Sequence, residues 1–213
     1  MKELYRRHKE HWPNWRLAAN SVVSFAIFII AIFVIQPLAI DFANEAATNP
    51  VGDVILSNTP VFDVGVFFVY GMFLLVAFIT ALCLSHPNRI AFVLHSLTLF
   101  VLIRSVFVSL THVGAFTTQL PSDFGPTITN MFFGADHFFS GHTGAPFLMA
   151  LIFWRDALLR YIFLAWSAFF GVVVLLGHLH YTIDVASAFF ITYGIFHLAQ
   201  WLMPSDWQLF KSA

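Results

Sequence analysis

The sequence predicts an all-α membrane protein with six transmembrane helices, both termini in the cytoplasm and a site at the extracytoplasmic surface. With 59% hydrophobic and only 10% charged residues, and a mean hydropathy of +0.81, the chain is too apolar for a water-soluble domain. Apolar runs close to the ~20 residues that cross a bilayer recur along the whole chain. Backbone groups in hydrocarbon must be satisfied internally, so these runs are predicted to be helices.

The six predicted spans are separated by prolines or by adjacent charged residues, which favour turns. They occupy residues 17–40, 61–84, 90–113, 138–154, 158–176 and 182–203, and the fourth is the shortest. We therefore expect one membrane domain over residues 17–203, preceded by a basic segment (1–16) and followed by a short tail (204–213).

The orientation follows from the basic residues, since cytoplasmic loops are enriched in Lys and Arg. Of the ten in the chain, nine fall on one side of the predicted spans: Lys2, Arg6, Arg7, Lys9, Arg16, Arg89, Arg155, Arg160 and Lys211. The tenth, Arg104, lies inside the third span. This pattern predicts an integral multi-pass protein, expected in the plasma membrane, whose outer face carries the motifs described next.

The charge balance offers no sign of a nucleic-acid partner. The net charge is −1, and no basic patch occurs outside the N-terminal segment. Cys83 is the only cysteine, so no disulfide forms within the chain.

The first motif, Ser140-Gly141-His142-Thr143, lies at the predicted start of the fourth span. Unpaired backbone N–H groups and the positive end of the helix dipole favour an anion there. Ser140 can cap the helix, and Gly141 lets a phosphate approach the backbone. Two interpretations remain open: an anion-binding catalytic site at His142, or a capped helix that happens to carry an interfacial histidine.

The second motif, His180-Tyr181-Thr182-Ile183-Asp184, lies at the predicted start of the sixth span. If the helix begins early enough, the i,i+4 spacing stacks His180 over Asp184. The carboxylate could then hold Nδ1–H and leave Nε2 as an oriented nucleophile. The alternative is a helix that starts at Thr182 with an acid in its first turn, which the dipole favours anyway. Ionisable groups at membrane depth are costly and usually functional, which favours the catalytic interpretation.

Together, Asp136-x3-Ser140-Gly141-His142-Thr143 and His180-Tyr181-Thr182-x-Asp184-Val185 closely resemble the two hallmark motifs of sphingomyelin synthases, a branch of the type 2 phosphatidic acid phosphatase superfamily. The resemblance extends over roughly residues 50–200. It implies a six-helix lipid phosphatase or headgroup phosphotransferase that works without a metal or other cofactor through a phosphohistidine. By this resemblance His180 is the nucleophile, Asp184 its orienter and His142 the general acid.

The resemblance is closer to this branch than to the broader superfamily. The superfamily carries a Lys-x6-Arg-Pro motif and a Ser-Arg pair before the second histidine, where this chain has Val172-Val173-Val174. Sphingomyelin synthases also lack the Ser-Arg pair. The expected partners are therefore membrane lipids, with a phospholipid as donor and water or a lipid hydroxyl as acceptor.

Six residues are expected to contact the substrate: Arg104, Asp136, Ser140, Gly141, Thr143 and Tyr181. Arg104 supplies the only cation within the predicted bundle for a phosphoryl group, and its spacing to Thr111 is similar to one in sphingomyelin synthases. It could instead be a structural arginine paired with Asp63 or Asp136. Asp136 could steady His142 or Arg104, or simply cap the fourth helix.

A rival function rests on the number of histidines on the outer side. Five of them could ligate a metal, as in membrane hydroxylases and desaturases: His112, His137, His142, His178 and His180. The repeated paired histidine boxes of those enzymes are absent from the sequence. A non-enzymatic scaffold or transporter is the remaining alternative.

Overall fold

The structure is a computed structural model that describes residues 2–120 and 138–212. Within these ranges the chain is helical and contains no strand. The helices are α1 (Lys2–His11), α2 (Trp15–Ile30), α3 (Gln36–Glu45), α4 (Gly65–Ser85), α5 (Ile90–Leu110), α6 (Gly141–Ile152), α7 (Ala157–Leu176), α8 (Thr182–Leu202) and α9 (Pro204–Ser212). Short 3-10 turns occur at Leu56–Asn58 and Pro87–Arg89.

Five helical segments of the described residues are long and apolar enough to cross a membrane. They are Trp15–Glu45, Gly65–Ser85, Pro87–Leu110, Ala157–Leu176 and Thr182–Leu202. The fourth predicted span corresponds to α6, which has 12 residues and is therefore only ~18 Å long. A typical hydrocarbon core is ~30 Å thick, so α6 by itself is shorter than a full crossing.

The first span is longer than the sequence prediction. We expected it to end at Ile40, before Asp41, but the helix continues to Glu45 through the π-helical turn Ala31–Ile35. Pro37 lies in the first turn of α3, and proline has no N–H to bond to the preceding turn. A π-turn accommodates such an interruption, so the helix continues without a break.

Helix α6 occupies the middle of the bundle, where it packs against α5, α7 and α8. At its start, Arg104 Nε on α5 donates to the carbonyl of Phe139 at 2.9 Å. At its end, the Arg89 guanidinium lies 5.7 Å from the ring centroid of Phe153. Arg104 is six residues before the end of α5 at Leu110, which corresponds to ~9 Å along a helix. The short helix therefore begins in a recess below the end of α5.

The two sequence motifs meet at one end of the bundle, which we call the motif end. Ser140 N–H, just before α6, donates to the carbonyl of Asp184 in α8 at 3.1 Å. The last residue of α7, Leu176, accepts a backbone hydrogen bond from Phe62 at 2.8 Å. The opposite end, which we call the turn end, is formed by the Pro87–Arg89 turn with α1 and α9 packed against it.

Close packing in the centre depends on Gly144. A Cβ at this position would lie 2.8 Å from Phe100 Cε2 and 2.9 Å from Thr192 Oγ1, which is closer than van der Waals contact permits. Gly144→Ala should therefore lower the free energy of unfolding by about 1–3 kcal/mol. Gly194→Ala is the matched control, because nothing lies within 4 Å of a Cβ there, and it should be neutral or stabilising by up to ~1 kcal/mol. Thermal unfolding of the solubilised protein measures both, and equal midpoints would contradict the packing.

Candidate active site

The start of α6 is organised by Ser140, whose side chain is fully buried. Its Oγ accepts the backbone N–H of Thr143 at 3.4 Å and the Thr143 hydroxyl at 3.1 Å. The Ser167 hydroxyl of α7 donates to the Thr143 carbonyl at 2.8 Å. Ser140 and Thr143 thus form the capping network that the serine predicts, and the network joins α6 to α7.

The imidazole of His142 is held between two aromatic rings. It stacks on Phe68 of α4 with a centroid separation of 3.9 Å and an interplanar angle of 21°, and it meets Phe170 of α7 edge-on at 5.3 Å. The histidine is 8% exposed. The two rings fix the orientation of the imidazole.

The second motif adopts a different geometry from an i,i+4 helical stack. Helix α8 begins at Thr182, so His180 precedes the helix. This is the alternative helix start of the sequence analysis, with Asp184 in the first turn. The chain nevertheless brings His180 Nδ1 to 3.5 Å from Asp184 Oδ2. The same Oδ2 accepts the backbone N–H of Tyr181 at 2.9 Å. The Asp184 carboxylate therefore caps α8 and faces His180 at once, and both side chains are buried.

Arg104 lies beside the first residue of α6. Its Nε is 3.1 Å from the position that a Cβ would take on Gly141, and the residue is 5% exposed. Asp63, one of the two alternative partners predicted for Arg104, accepts the N–H of Gly65 at 3.3 Å. Asp136 and His137 lie outside the described residues, so the roles predicted for Asp136 remain predictions.

Tyr181 and Asp53 connect the second motif to the loops at the motif end. The Tyr181 hydroxyl donates to the Gly114 carbonyl at 2.7 Å and accepts the N–H of Val51 at 3.3 Å. Asp53 accepts the Thr182 N–H at 2.7 Å and the Thr182 hydroxyl at 2.6 Å. Sequence reasoning missed Asp53, because it lies 129 residues from Thr182 and no local spacing connects them.

The Asp53 carboxyl is held in its charged form. Burial raises its pKa, but hydrogen bonds from the Thr182 hydroxyl and from the backbone N–H groups of Leu56, Thr182 and Ile55 lower it. The net pKa lies below the usual value of 3.8, because donors stabilise the carboxylate more than partial burial penalises it.

The other described histidines of the predicted metal cluster each make a separate hydrogen bond. His112 Nε2 lies 2.9 Å from the Ser109 carbonyl, and His178 Nδ1 shares a 2.6 Å hydrogen bond with the Thr118 hydroxyl. Over residues 2–120 and 138–212, no group of three or more His, Cys, Asp or Glu side chains is arranged to hold a metal ion. His137, the remaining member of the rival cluster, is outside these ranges.

Comparison with protein families connects this geometry to a known class. The family model described as PAP2 superfamily C-terminal matches residues 134–201, which include both motifs, α6, α7 and all but the last residue of α8. No curated protein and no solved structure matches the chain. The match supports membership of the PAP2 superfamily. Together with five membrane-length apolar helices, it suggests a membrane phosphatase-type enzyme and an integral membrane location.

The lowered pKa of Asp53 predicts a pH-dependent contribution to stability. A carboxyl with a depressed folded pKa stabilises the fold above its unfolded value and loses that contribution as pH falls through the folded pKa. At pH 6, Asp53→Asn should therefore have a free energy of unfolding that is lower than that of wild type by about 1 kcal/mol or less. Its unfolding midpoint should be lower accordingly. The difference should shrink as pH falls below 3.8. Asp41→Asn, an exposed acid outside this network, is the control, and a pH-independent difference for Asp53→Asn would contradict the linkage.

Proposed function

We propose that this protein is a membrane-embedded lipid phosphatase or headgroup phosphotransferase of the sphingomyelin synthase-like branch. It acts on phospholipid phosphoesters through a phosphohistidine on His180. The observation that carries the proposal is the convergence of the two motifs, joined by the hydrogen bond from Ser140 N–H to the Asp184 carbonyl at 3.1 Å. A nucleophile, its orienter and an acid within one buried site are the parts that covalent phosphoryl transfer needs.

The geometry of the two histidines supports the proposed roles. Asp184 at 3.5 Å from Nδ1 of His180 favours the tautomer that carries its proton there, which leaves the Nε2 lone pair for attack on phosphorus. As the N–P bond forms, the bond from phosphorus to the lipid oxygen breaks, and His142 donates its proton to that oxygen. His142 then takes the proton of the acceptor, whose oxygen attacks phosphorus and releases His180. These side chains supply the whole sequence, so we propose that the reaction needs no metal.

The distribution of charge at the two helix starts supports a phosphate beside α6. At α8, the backbone N–H groups of Tyr181 and Thr182 already donate to the carboxylates of Asp184 and Asp53. Two negative charges at this helix start disfavour a third anion. At α6, Arg104 lies against Gly141, and a helix start beside a guanidinium favours phosphate.

The remaining predicted contacts divide into two kinds of role. Gly141 and Arg104 face the proposed phosphate directly. Ser140 and Thr143 hold the start of α6, and Tyr181 holds the loops around Gly114 and Val51. We propose that these three position the substrate site, and the contact expected for Asp136 stays a prediction.

The proposed topology has six crossings, with α6 as the short fourth one and both termini in the cytoplasm. The motif end then faces away from the cytoplasm, at the outer leaflet of the plasma membrane, where a phospholipid binds from the bilayer. Water as the acceptor makes the enzyme a phosphatase, and a lipid hydroxyl makes it a transferase. Lipid mass spectrometry with phosphatidic acid, phosphatidylcholine and ceramide, with free phosphate measured alongside, distinguishes these two outcomes.

The two histidines should respond differently to the leaving group. In His142→Ala, release of a lipid alkoxide should slow by about 10²–10⁴-fold, because general acid catalysis contributes that much. Hydrolysis of p-nitrophenyl phosphate should slow far less, since p-nitrophenolate leaves without a proton. His180→Ala should abolish both reactions.

The control is the thermal unfolding midpoint of each variant, which shows that the protein remains folded. Equal losses on both substrates in folded His142→Ala would remove His142 as the general acid. Full activity in His180→Ala would remove the phosphohistidine.

The proposed orientation predicts which end of the bundle is reached from outside the cell. In a Cys83→Ala background, Ser57→Cys at the motif end should react with an impermeant thiol reagent added outside. Ser205→Cys at the turn end should react only after permeabilisation; both serines are exposed in the fold. The reverse labelling pattern would invert the topology and assign the chemistry to cytoplasmic lipids.

A further inference from the structure

The turn end of the bundle holds an arginine in an unusual environment. The Arg89 guanidinium lies 5.7 Å from the ring centroid of Phe153, at the end of α6, and 5.4 Å from that of Phe210 in α9. Contact with two aromatic faces restricts the side chain to one orientation. The group is therefore preorganised at the point where the α4–α5 turn, α6 and α9 meet.

The Nε donor of this guanidinium is not used by the described residues. The Nε atom is buried and has no hydrogen-bond partner within the described ranges of the chain. A guanidinium carries five N–H donors in a planar fork and no acceptor, and buried donors are nearly always paired with protein, water or an ion. The arrangement calls for an acceptor from outside the described protein.

A second cation lies beside the first. Arg7 of α1 donates to the Ser85 carbonyl at 3.3 Å and contacts His86 Nε2, and its charge repels that of Arg89. The acidic side chain that acts on Arg89 is Asp156. Asp156 is exposed and accepts the N–H of Leu159 at 3.0 Å. Two positive charges thus lie around one turn, and the acid that acts on Arg89 is exposed, which favours a bound anion.

We propose that Arg89 forms a binding site for a phosphate group at the turn end of the bundle, beside the positive charge of Arg7. The planar fork of Arg89 matches two phosphate oxygens, and the rings of Phe153 and Phe210 fix its direction. The site is at the opposite end of α5 and α6 from the two histidine motifs. It therefore takes a ligand other than the substrate of the proposed reaction, and the inference does not depend on that reaction.

The depth of the site favours the headgroup of a bilayer lipid as the source of the phosphate. Exposed tryptophans surround the turn end: Trp12 is 41%, Trp154 48% and Trp15 72% exposed. Tryptophan side chains concentrate at the level of the lipid headgroups, and clustered cations at that level attract anionic lipids. A soluble phosphate would have the same chemistry, so the experiment contains an arm for each source.

The test compares thermal unfolding of the full chain in nanodiscs. Wild type, Arg89→Gln and Arg160→Gln are placed in phosphatidylcholine alone, in phosphatidylcholine with phosphatidylglycerol, and in phosphatidylcholine with inorganic phosphate at constant ionic strength. Arg160 is the matched control, because it also stacks on aromatic rings, at 5.1 Å from Trp154 and 4.7 Å from Tyr161. Unlike Arg89, it donates to a carbonyl, that of Trp154, at 3.1 Å.

A filled site should raise the unfolding midpoint of wild type and Arg160→Gln by roughly 5 °C, as expected for a saturating ligand on a chain of this size. Arg89→Gln should lose most of that increase. An increase with phosphatidylglycerol supports a lipid headgroup, and an increase with inorganic phosphate alone supports a soluble ligand. Arg89→Lys, which keeps the charge without the fork, should retain only part of the increase.

Two results would overturn the site. In the first, neither anion stabilises wild type more than Arg89→Gln. In the second, Arg89→Gln and Arg160→Gln lose the same amount, which would mean that the anion acts on the general positive charge of this face. A lower midpoint of Arg89→Gln in phosphatidylcholine alone measures only the lost aromatic contacts, because the quantity tested is the increase caused by the anion.

Discussion

The structure around both motifs depends on Asp184. Its carbonyl accepts the N–H of Ser140, which joins α8 to the start of α6, while its carboxylate caps α8 through Tyr181 and faces His180. One residue therefore sets the register between two helices and the position of a histidine outside either helix. A charged group at this depth is costly unless its hydrogen bonds are made. Here the backbone N–H of Tyr181 donates to the carboxylate and the imidazole of His180 lies beside it, which couples the stability of the motif end to the geometry of the proposed chemistry.

The short central helix determines where this chemistry is located. Because α6 begins at the level of Arg104 and ends at the level of Arg89, its first residues lie below the end of α5. Nearly all of its side chains are buried, so it has neighbours on every side and needs no lipid-facing surface. A helix start placed in this recess keeps its dipole and Arg104 in a low-dielectric environment, where they act on an anion more strongly than in water. This central position requires α6 to pack tightly against Phe100 and Thr192, which is possible because residue 144 is a glycine.

The helices could largely be predicted from the sequence, since hydropathy reports on lipid contact directly. The starts of α5 at Ile90 and α8 at Thr182 were predicted to the residue. The first membrane span was predicted too short, because an acidic residue such as Asp41 usually indicates the end of a span. An exposed acid near a helix end costs little free energy. The motifs identified His142, His180 and Asp184 as candidates, but their surroundings were not predictable. Phe68, Phe170 and Asp53 reach the site from distant segments, and only the packing of the bundle brings them there.

The bond between Asp53 and Thr182 has a consequence for biosynthesis. Its partners are separated by 129 residues, and at a synthesis rate of 5–20 residues per second the second partner follows the first by roughly ten seconds. During that interval the loop that carries Asp53 has left the ribosome, while the helix start that it caps does not yet exist. The motif end is therefore completed only when the last membrane helix has been inserted. A nascent chain with a partial set of helices contains the first histidine motif without the second. The motif end is joined only when the loop after the first membrane helix contacts the start of the last one.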